Sequence, residues 1–273
     1  MRLIFLGDIV GKSGRDAVHR ELPLLRERYR PDLVVINGEN AAHGFGITED
    51  IFLALQAAGA DVVTLGNHAF DQREALIFIE RHPTLIRPLN WPTGCPGRGT
   101  AMVDTASGRR VLVMNAMGRV MIEPQLNDPF PAVTRELDSC RLGHDCDAIL
   151  VDFHAEASSE KMAMGHFCDG RASLVVGTHT HVPTADHQIL SGGTGYMSDA
   201  GMCGDYNSVI GMDKAEPMQR FLHKLPVERM KPAEGPATVC GVAIETDDAT
   251  GLAMKISPIR VGGRLAPAEI PFW

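Results

Sequence analysis

Two histidines, His179 and His181, stand one residue apart directly after the apolar run SLVVG at 173–177. Imidazole nitrogens bind first-row transition metals, and an extended strand sends residues i and i+2 to the same side. If the stretch is extended, both rings point the same way and two neighbouring metal ions can each take one. The pair therefore predicts a metal site.

Polar side chains with metal-binding chemistry also follow four other apolar runs. They are Asp8 after 2–7, Glu39 and Asn40 after 33–37, Asn67 and His68 after 61–65, and His154 after 148–152. Each residue alone also fits a turn, a helix cap or a satisfied buried histidine. Together, their carboxylate, amide and imidazole groups suit manganese, iron or zinc. Two cations about 3.5–4 Å apart need a carboxylate between them to offset their repulsion, and Glu39 is the predicted bridge.

The segments that must position these residues alternate between two periodicities. Predicted strands lie at 2–7, 33–37, 61–65, 111–115, 148–152 and 173–177, and predicted helices at 14–29, 48–58, 71–81, 130–141 and 158–169. Thr48, followed by Asp50, is the predicted N-cap of the second helix. Strand alternating with helix predicts parallel strands joined by crossover helices. Ligands bind at the carboxyl edge of such a sheet, so we expect the distant polar residues to meet there.

From about residue 185 onward the pattern shows strand candidates without helices, at 185–190, 194–198, 237–246 and 252–259. This tail predicts an antiparallel or mixed sheet packed against the first. The proline- and glycine-rich segment 87–100 is predicted to be an ordered loop at the rim. We therefore interpret residues 1–273 as a single domain with a rim loop or small insertion around 87–130.

Composition narrows the classes of function. With 273 residues and 44% hydrophobic content, the chain can bury one large core. A net charge of -8 disfavours an extended nucleic-acid surface, although a pocket for one nucleotide is compatible with it. The opening MRLIFLGDIVG reaches Asp8 too early for a signal peptide or a membrane span, so we expect a cytoplasmic protein. Six cysteines without a CxxC pair disfavour a structural zinc site.

Several segments together resemble the YmdB-like branch of the calcineurin-like metallophosphoesterase superfamily, described as 2',3'-cyclic nucleotide 2'-phosphodiesterases. They are LGDIVGKSGR at 6–15, INGENAAHGFGIT at 36–48, LGNHAFD at 65–71, DFHAEASSEK at 152–161, GTHTH at 177–181 and GYMSDAGMCGDYNSVIGM at 195–212. The resemblance runs nearly end to end and implies an α/β layered sandwich of mixed β-sheets flanked by helices. The usual Asp-x-His of the superfamily is here Asp8-Ile9-Val10, and its GDxxD begins here as Gly38-Glu39-Asn40. Both departures fit the YmdB-like branch.

The resemblance also implies a set of roles. One metal ion would be held by Asp8, Glu39, Asn40 and His181, and the other by Glu39, Asn67, His154 and His179, with the division between the last two histidines open. Iron and manganese are the expected metals, and zinc is a third candidate. His68 would be the general acid, although a histidine that only hydrogen-bonds to the ligands is the alternative. His43 would line the substrate pocket, or be an exposed loop histidine.

The expected reaction is hydrolysis of the 2'-bond of 2',3'-cyclic nucleotides to nucleoside 3'-phosphates. A broader phosphomonoesterase or nuclease would use the same metals, because ligands contact the phosphate and not the base. A regulatory cyclic-nucleotide-binding protein with incidental catalysis is a further alternative, which His68 disfavours because binding alone needs no acid. An oxidoreductase is disfavoured because no GxGxxG follows the first strand. The expected partner is a small phosphoester rather than a membrane, and homo-oligomers are implied by the family.

Overall fold

The computed structural model describes residues 1–224 and 230–273. The strands in these ranges are β1 (Arg2–Leu6), β2 (Asp8–Ile9), β3 (Leu33–Asn37), β4 (Val62–Thr64), β5 (Leu85–Ile86), β6 (Thr100–Asp104), β7 (Arg110–Met117), β8 (Ala148–His154), β9 (Leu174–Thr178), β10 (Gln188–Ile189), β11 (Gly195–Met197), β12 (Met202–Cys203), β13 (Val239–Thr246) and β14 (Ala253–Val261). The helices are α1 (Gly11–Tyr29), α2 (Glu49–Ala58), α3 (Ala75–Phe78), α4 (Pro129–Ser139), α5 (Ser158–Phe167) and α6 (Ala215–His223). A 3₁₀ turn over Ile79–Arg81 continues α3.

These strands form two six-stranded sheets and one two-stranded sheet. The first sheet has the order β14-β13-β1-β3-β4-β5, and the second has the order β10-β11-β9-β8-β7-β6. The strands β1, β3, β4 and β5 are parallel, and so are β7, β8, β9 and β11. Antiparallel strands complete both sheets. The short β2 pairs with β12.

The two large sheets pack face to face, and helices cover their outer sides. Alternate residues of β1 show this division, since successive side chains of a strand point to opposite faces. Leu3 and Phe5 lie in the apolar layer between the sheets with Val113 of the second sheet, whereas Ile4 and Leu6 pack among the residues of α1 and α2. The other face of the second sheet packs against α4 and α5. The predicted α/β sandwich of mixed sheets flanked by helices is confirmed.

The assignment of strands to sheets differs from the prediction. The six leading strands do not share one sheet, because β1, β3 and β4 lie in the first and β7, β8 and β9 in the second. The later strands form no separate sheet: β10 and β11 extend the second sheet, and β13 and β14 extend the first. Strand partners are chosen by hydrogen bonds between distant segments, such as Arg2 with Glu245. A local pattern does not encode these partners.

The prediction of strands alone after residue 185 is wrong at α6. Met218, Phe221 and Leu222 have the spacing of a helix face, so the signal is present in the sequence. Pro217 weakens that signal, yet it is tolerated because it lies in the first turn, where its missing N–H has no intrahelical partner to lose. None of the helices in the described ranges is both long and apolar enough to cross a membrane.

Local signals elsewhere act as expected. Thr48 caps α2, since its side chain accepts a hydrogen bond from the Ile51 amide at 3.3 Å. Arg87 organises the segment 87–100 by donating hydrogen bonds of 2.9–3.1 Å to the carbonyls of Pro88, Cys95, Pro96 and Gly97. The segment is thereby held in place with little regular secondary structure.

Candidate metal and catalytic centre

The polar residues that follow the parallel strands meet where the carboxyl edges of the two large sheets adjoin. The loop after β3 carries Glu39 from the first sheet, and β8 ends at His154 in the second. Glu39 Oε1 lies 3.1 Å from His154 Nε2, and both side chains are buried. The predicted convergence is thus found, but the converging residues come from the edges of two sheets and not from the edge of one.

His154 Nε2 is the centre of a dense cluster. Besides Glu39 Oε1, it lies 2.8 Å from Asn67 Oδ1 and 3.1 Å from His179 Nδ1. An imidazole nitrogen carries at most one hydrogen, so it cannot donate to all three neighbours. The ligand atoms of Glu39, His154 and His179 lie within 4.8 Å of one another. This is the arrangement that a metal ion would satisfy.

Asp8, Asn40 and His181 form a second group of neighbours beside Glu39. His181 Nε2 is 3.8 Å from Asp8 Oδ1 and 3.1 Å from Asn40 Nδ2. Asn40 Nδ2 also lies 3.1 Å from Glu39 Oε1. Asn40 therefore directs its amide nitrogen at its neighbours, and binding of a metal through its oxygen requires rotation of the amide. The predicted residues thus fall into two groups that share Glu39.

The orientation of His154 is fixed from behind by Thr178 and Asp152. Thr178 Oγ1 donates to Asp152 Oδ1 at 2.6 Å and lies 2.9 Å from His154 Nδ1. Because the single hydroxyl hydrogen goes to the carboxylate, Nδ1 must supply the hydrogen in its contact with Thr178. The Asn37 side chain donates to the other oxygen of Asp152 at 3.2 Å. The Nε2 atom of His154 is therefore aimed at the cluster.

The backbone of the His179–His181 stretch departs from the prediction. Both residues lie in the left-handed region, with φ of 95° for His179 and 66° for His181, rather than in an extended strand. Even so, the rings of both residues reach the centre, His179 beside His154 and His181 beside Asp8. Both rings reach the site as predicted, but a strained turn directs them there and not the alternation of an extended strand.

His68 lies at the edge of the cluster. Its backbone amide donates to Glu39 Oε2 at 3.2 Å, and its Nδ1 lies 2.8 Å from Asp71 Oδ2. The ring packs edge-on against Phe45, with 5.2 Å between the centroids. The side chain is 27% exposed, which distinguishes it from the fully buried His154. His68 is thus placed beside the cluster with access to solvent.

His43 lies apart from this cluster. It is exposed, has a left-handed φ of 54°, and lines a cavity of about 330 Å³ with Lys12, Lys231 and Glu234. The loop after β3 that carries it also carries Asn40, whose carbonyl accepts a hydrogen bond from the Gly11 amide at 3.0 Å. Its exposure fits either of the two predicted roles, so its place in the substrate pocket stays a prediction.

The buried charges of the cluster compensate one another. Burial alone would lower the pKa of His154, but the carboxylates of Glu39, Asp8 and Asp152 raise it to about 9. Burial, followed by the neighbouring His154, lowers the pKa of His179 to about 3. Burial raises the pKa of Asp152 to about 7 and also raises that of Asp8. Burial would raise the pKa of Glu39 as well, but the imidazoles around it hold that pKa far below its usual range.

The residues present fit a cation. Within the described ranges, Asp8 Oδ1 is a buried oxygen without a hydrogen-bond partner, which is costly unless a positive group satisfies it. The nearest histidine ring nitrogens to it are His181 Nε2 at 3.8 Å and His154 Nδ1 at 4.0 Å. A carboxylate oxygen, an amide oxygen and a second imidazole converge within 3.1 Å of His154 Nε2. Gly66 leaves room for them, because a Cβ there would collide with Glu39 Oε2 and lie 2.5 Å from His154 Nε2.

Comparison with known proteins gives the family. The chain matches the model of the YmdB-like proteins over residues 4–259. It belongs to the YmdB-like family. A 2',3'-cyclic-nucleotide 2'-phosphodiesterase of Bacillus subtilis (strain 168) is 47% identical over 261 residues, covering 96% of this chain and 97% of the relative. The predicted resemblance and the class of enzyme, a hydrolase of the metallophosphoesterase type, are confirmed.

Two solved structures share the fold of this YmdB-like chain. A hypothetical protein from Thermus thermophilus is 41% identical with a TM-score of 0.89, covering 97% of this chain and all of that one (100%). A structure described as a novel phosphatase from Mycoplasma pneumoniae is 33% identical with a TM-score of 0.87, covering 99% of this chain and 95% of that chain. The sandwich of two sheets is therefore the fold of these relatives.

Three residues that support the centre of this YmdB-like protein were absent from the predicted set: Asp152, Thr178 and Asp199. Asp152 had a detectable signal, since it is a charged residue inside the otherwise apolar strand AILVDFH and lies on the same face as His154. Thr178 had no comparable signal, and Asp199 was marked only by its place in the segment 195–212 that resembles the YmdB-like branch. Their roles depend on contacts that only the folded chain creates.

Proposed function

We propose that this YmdB-like protein hydrolyses the 2'-phosphoester bond of 2',3'-cyclic nucleotides and releases nucleoside 3'-phosphates, at a centre that holds two metal ions. The observation that carries the proposal is the meeting of Glu39 with His154 across the two sheets, at 3.1 Å, with His68 adjacent. The Bacillus subtilis relative, a 2',3'-cyclic-nucleotide 2'-phosphodiesterase, supports this choice of substrate.

The two groups of neighbours around Glu39 suggest how the metals are held. Asp8, Glu39, Asn40 and His181 would hold one ion, and Glu39, Asn67, His154 and His179 the other. The closeness of His181 to Asp8 and of His179 to His154 supports this division. The mixture of carboxylate, amide and imidazole groups favours iron or manganese. When bound, two such cations lower the pKa of water and neutralise phosphate oxygens.

His68 would supply the proton that the leaving group needs. Hydrolysis forms a bond between phosphorus and a water oxygen and breaks the bond between phosphorus and the 2'-oxygen, which takes up a proton. His68 is suited to donate this proton because it lies beside Glu39 and is partly exposed. Asp71 would orient the ring through Nδ1, so that Nε2 delivers the proton.

The test is hydrolysis of 2',3'-cyclic AMP by the purified protein after treatment with a chelator, with manganese or iron added back. We expect activity only with metal, and 3'-AMP as the product identified by chromatography. Release of 2'-AMP would contradict the proposed bond cleavage. No turnover of the cyclic nucleotide, with metal-dependent hydrolysis of p-nitrophenyl phosphate, would assign the centre to a phosphomonoesterase instead.

A further inference from the structure

A fully buried ion pair lies directly behind the His179–His181 turn. Lys161 Nζ of α5 donates to Asp199 Oδ2, after β11, at 2.6 Å, and the two side chains are only 2% and 1% exposed. Removing two charges from water costs several kcal/mol per ion before their attraction is counted. A buried pair of this kind therefore contributes little to the free energy of unfolding. The Asp199 carboxylate also binds groups other than Lys161.

The same carboxylate anchors Thr180, the residue between the two histidines. Asp199 Oδ2 accepts hydrogen bonds from the Thr180 amide at 3.1 Å and from Thr180 Oγ1 at 2.8 Å. Its other oxygen accepts from the Gly201 amide at 2.8 Å. Lys161 completes the set of donors, so both oxygens of the buried carboxylate are occupied.

The segment that follows the turn is also bound to Asp199. Thr184 Oγ1 accepts a hydrogen bond from the Asp199 amide at 3.0 Å, and the Thr184 amide donates to the Asp199 carbonyl at 3.1 Å. Asp199 therefore holds the segment 180–184 at its beginning through the side chain and at its end through the backbone.

This anchor explains how two left-handed histidines persist so close together. A non-glycine residue with positive φ costs on the order of 1 kcal/mol or more, and it persists only where the surroundings hold it. His179 and His181 have φ of 95° and 66°. Thr180 lies between them, and Asp199 binds it through both its amide and its hydroxyl, with Lys161 as a third donor to the same oxygen.

We propose that Lys161 and Asp199 are positioning residues for the metal centre. Asp199 fixes Thr180 so that His179 faces His154 and His181 faces Asp8, and Lys161 donates to the same carboxylate oxygen and holds it directed at Thr180. This inference rests on the proposed metal centre. Neither side chain belongs to the cluster around Glu39. The pair would therefore affect the affinity for metal by holding Thr180 and not by binding the metal.

The test compares the affinity for Mn²⁺ of the full chain and four variants by competition with a fluorescent chelator. Thr180→Val removes the hydroxyl donor, and Thr180→Ser keeps it. Asp199→Asn replaces one of the two carboxylate oxygens, so a single oxygen remains to accept the hydrogen bonds that two oxygens accept in the wild type. Thr194→Val is the matched control, because it removes a buried hydroxyl that donates to Ala172 at 2.7 Å beside the opposite end of β9. Thermal unfolding of each protein in chelator measures stability without metal.

We expect Thr180→Val and Asp199→Asn to bind Mn²⁺ about tenfold or more weakly, in the range typical of groups that orient metal ligands. Thr180→Ser should bind within about twofold of wild type, and so should Thr194→Val even where its unfolding temperature in chelator falls. A merely structural role would lower that temperature and leave the affinity for Mn²⁺ unchanged.

The inference is overturned if folded Thr180→Val and Asp199→Asn bind Mn²⁺ as wild type does. Should Asp199→Asn not fold, the double variant Lys161→Met with Asp199→Asn, which leaves no unpaired buried charge, takes its place with the same expected loss. A wild-type protein that binds none of Mn²⁺, Fe²⁺ and Zn²⁺ would overturn the proposed centre itself, a result distinct from unchanged affinity in the variants.

Discussion

His68 Nδ1 lies 2.8 Å from Asp71 Oδ2, three residues later in the chain. A carboxylate oxygen accepts a hydrogen bond, so Nδ1 carries the hydrogen in this contact and Nε2 is the nitrogen available for the proposed proton transfer. Within the described residues, the hydrogen bond from His68 to the cluster is donated by its backbone amide. The ring is paired with Asp71 instead, which separates the proposed acid from the proposed metal ligands.

The separation predicts the effect of His68→Ala. We expect the rate of cyclic nucleotide hydrolysis to fall by about 10²–10⁴-fold, the usual contribution of a general acid. Metal content, measured by elemental analysis, should stay at the wild-type level because the ring is not among the proposed ligands. Loss of metal together with activity would make His68 a ligand and refute the acid role. Asp71→Asn, which keeps the ring, should give a smaller loss of rate.

Gly66→Ala should remove metal binding while the chain still folds. The new methyl group would collide with Glu39 Oε2 and lie 2.5 Å from His154 Nε2, so the two side chains must separate. Gly195→Ala is the control, because its nearest neighbours lie at 3.2–3.3 Å in a buried strand away from the centre. Metal content and far-ultraviolet circular dichroism of both variants check the prediction. Normal metal content in Gly66→Ala would place the metals elsewhere.

Asp186 should contribute acid-dependent stability. Burial would raise its pKa, but hydrogen bonds from Ser198 and Thr184 lower it below the ordinary value of 3.8. Since the unfolded chain binds the proton more readily, this contribution is present above about pH 4 and is lost as pH falls through the lowered pKa. Asp186→Asn does not titrate. Its free energy of unfolding in urea should therefore fall less steeply than that of wild type between about pH 5 and pH 3, and parallel slopes would contradict the assignment.

Thr48→Ala should cost stability without touching the centre. The threonine accepts the Ile51 amide at the start of α2, and loss of such a cap costs about 1 kcal/mol. Urea unfolding of the metal-free protein measures the change. The affinity for Mn²⁺ should be unaltered, and a marked decrease would show that α2 is coupled to the Glu39 loop more tightly than its contacts indicate.

The sequence predicted the local features well because neighbouring residues determine them. Apolar, β-branched runs gave β1, β3 and β8 with nearly the observed bounds, and Thr48 marked the start of α2. The residue types at the strand ends, including Glu39 and His154, predicted which side chains would converge, since parallel strands deliver their carboxyl ends to a common edge.

Tertiary structure decided how those strands combine and how the histidines are held. The pairing of β1 with β13 joins the two ends of the chain, and the contact of Glu39 with His154 joins two sheets where one was expected. The left-handed turn at His179–His181 depends on Asp199, whose partner Lys161 lies on a different element. Hydrogen bonds and buried charges between residues far apart in the chain leave no periodic trace in either segment, so only the folded protein reveals them.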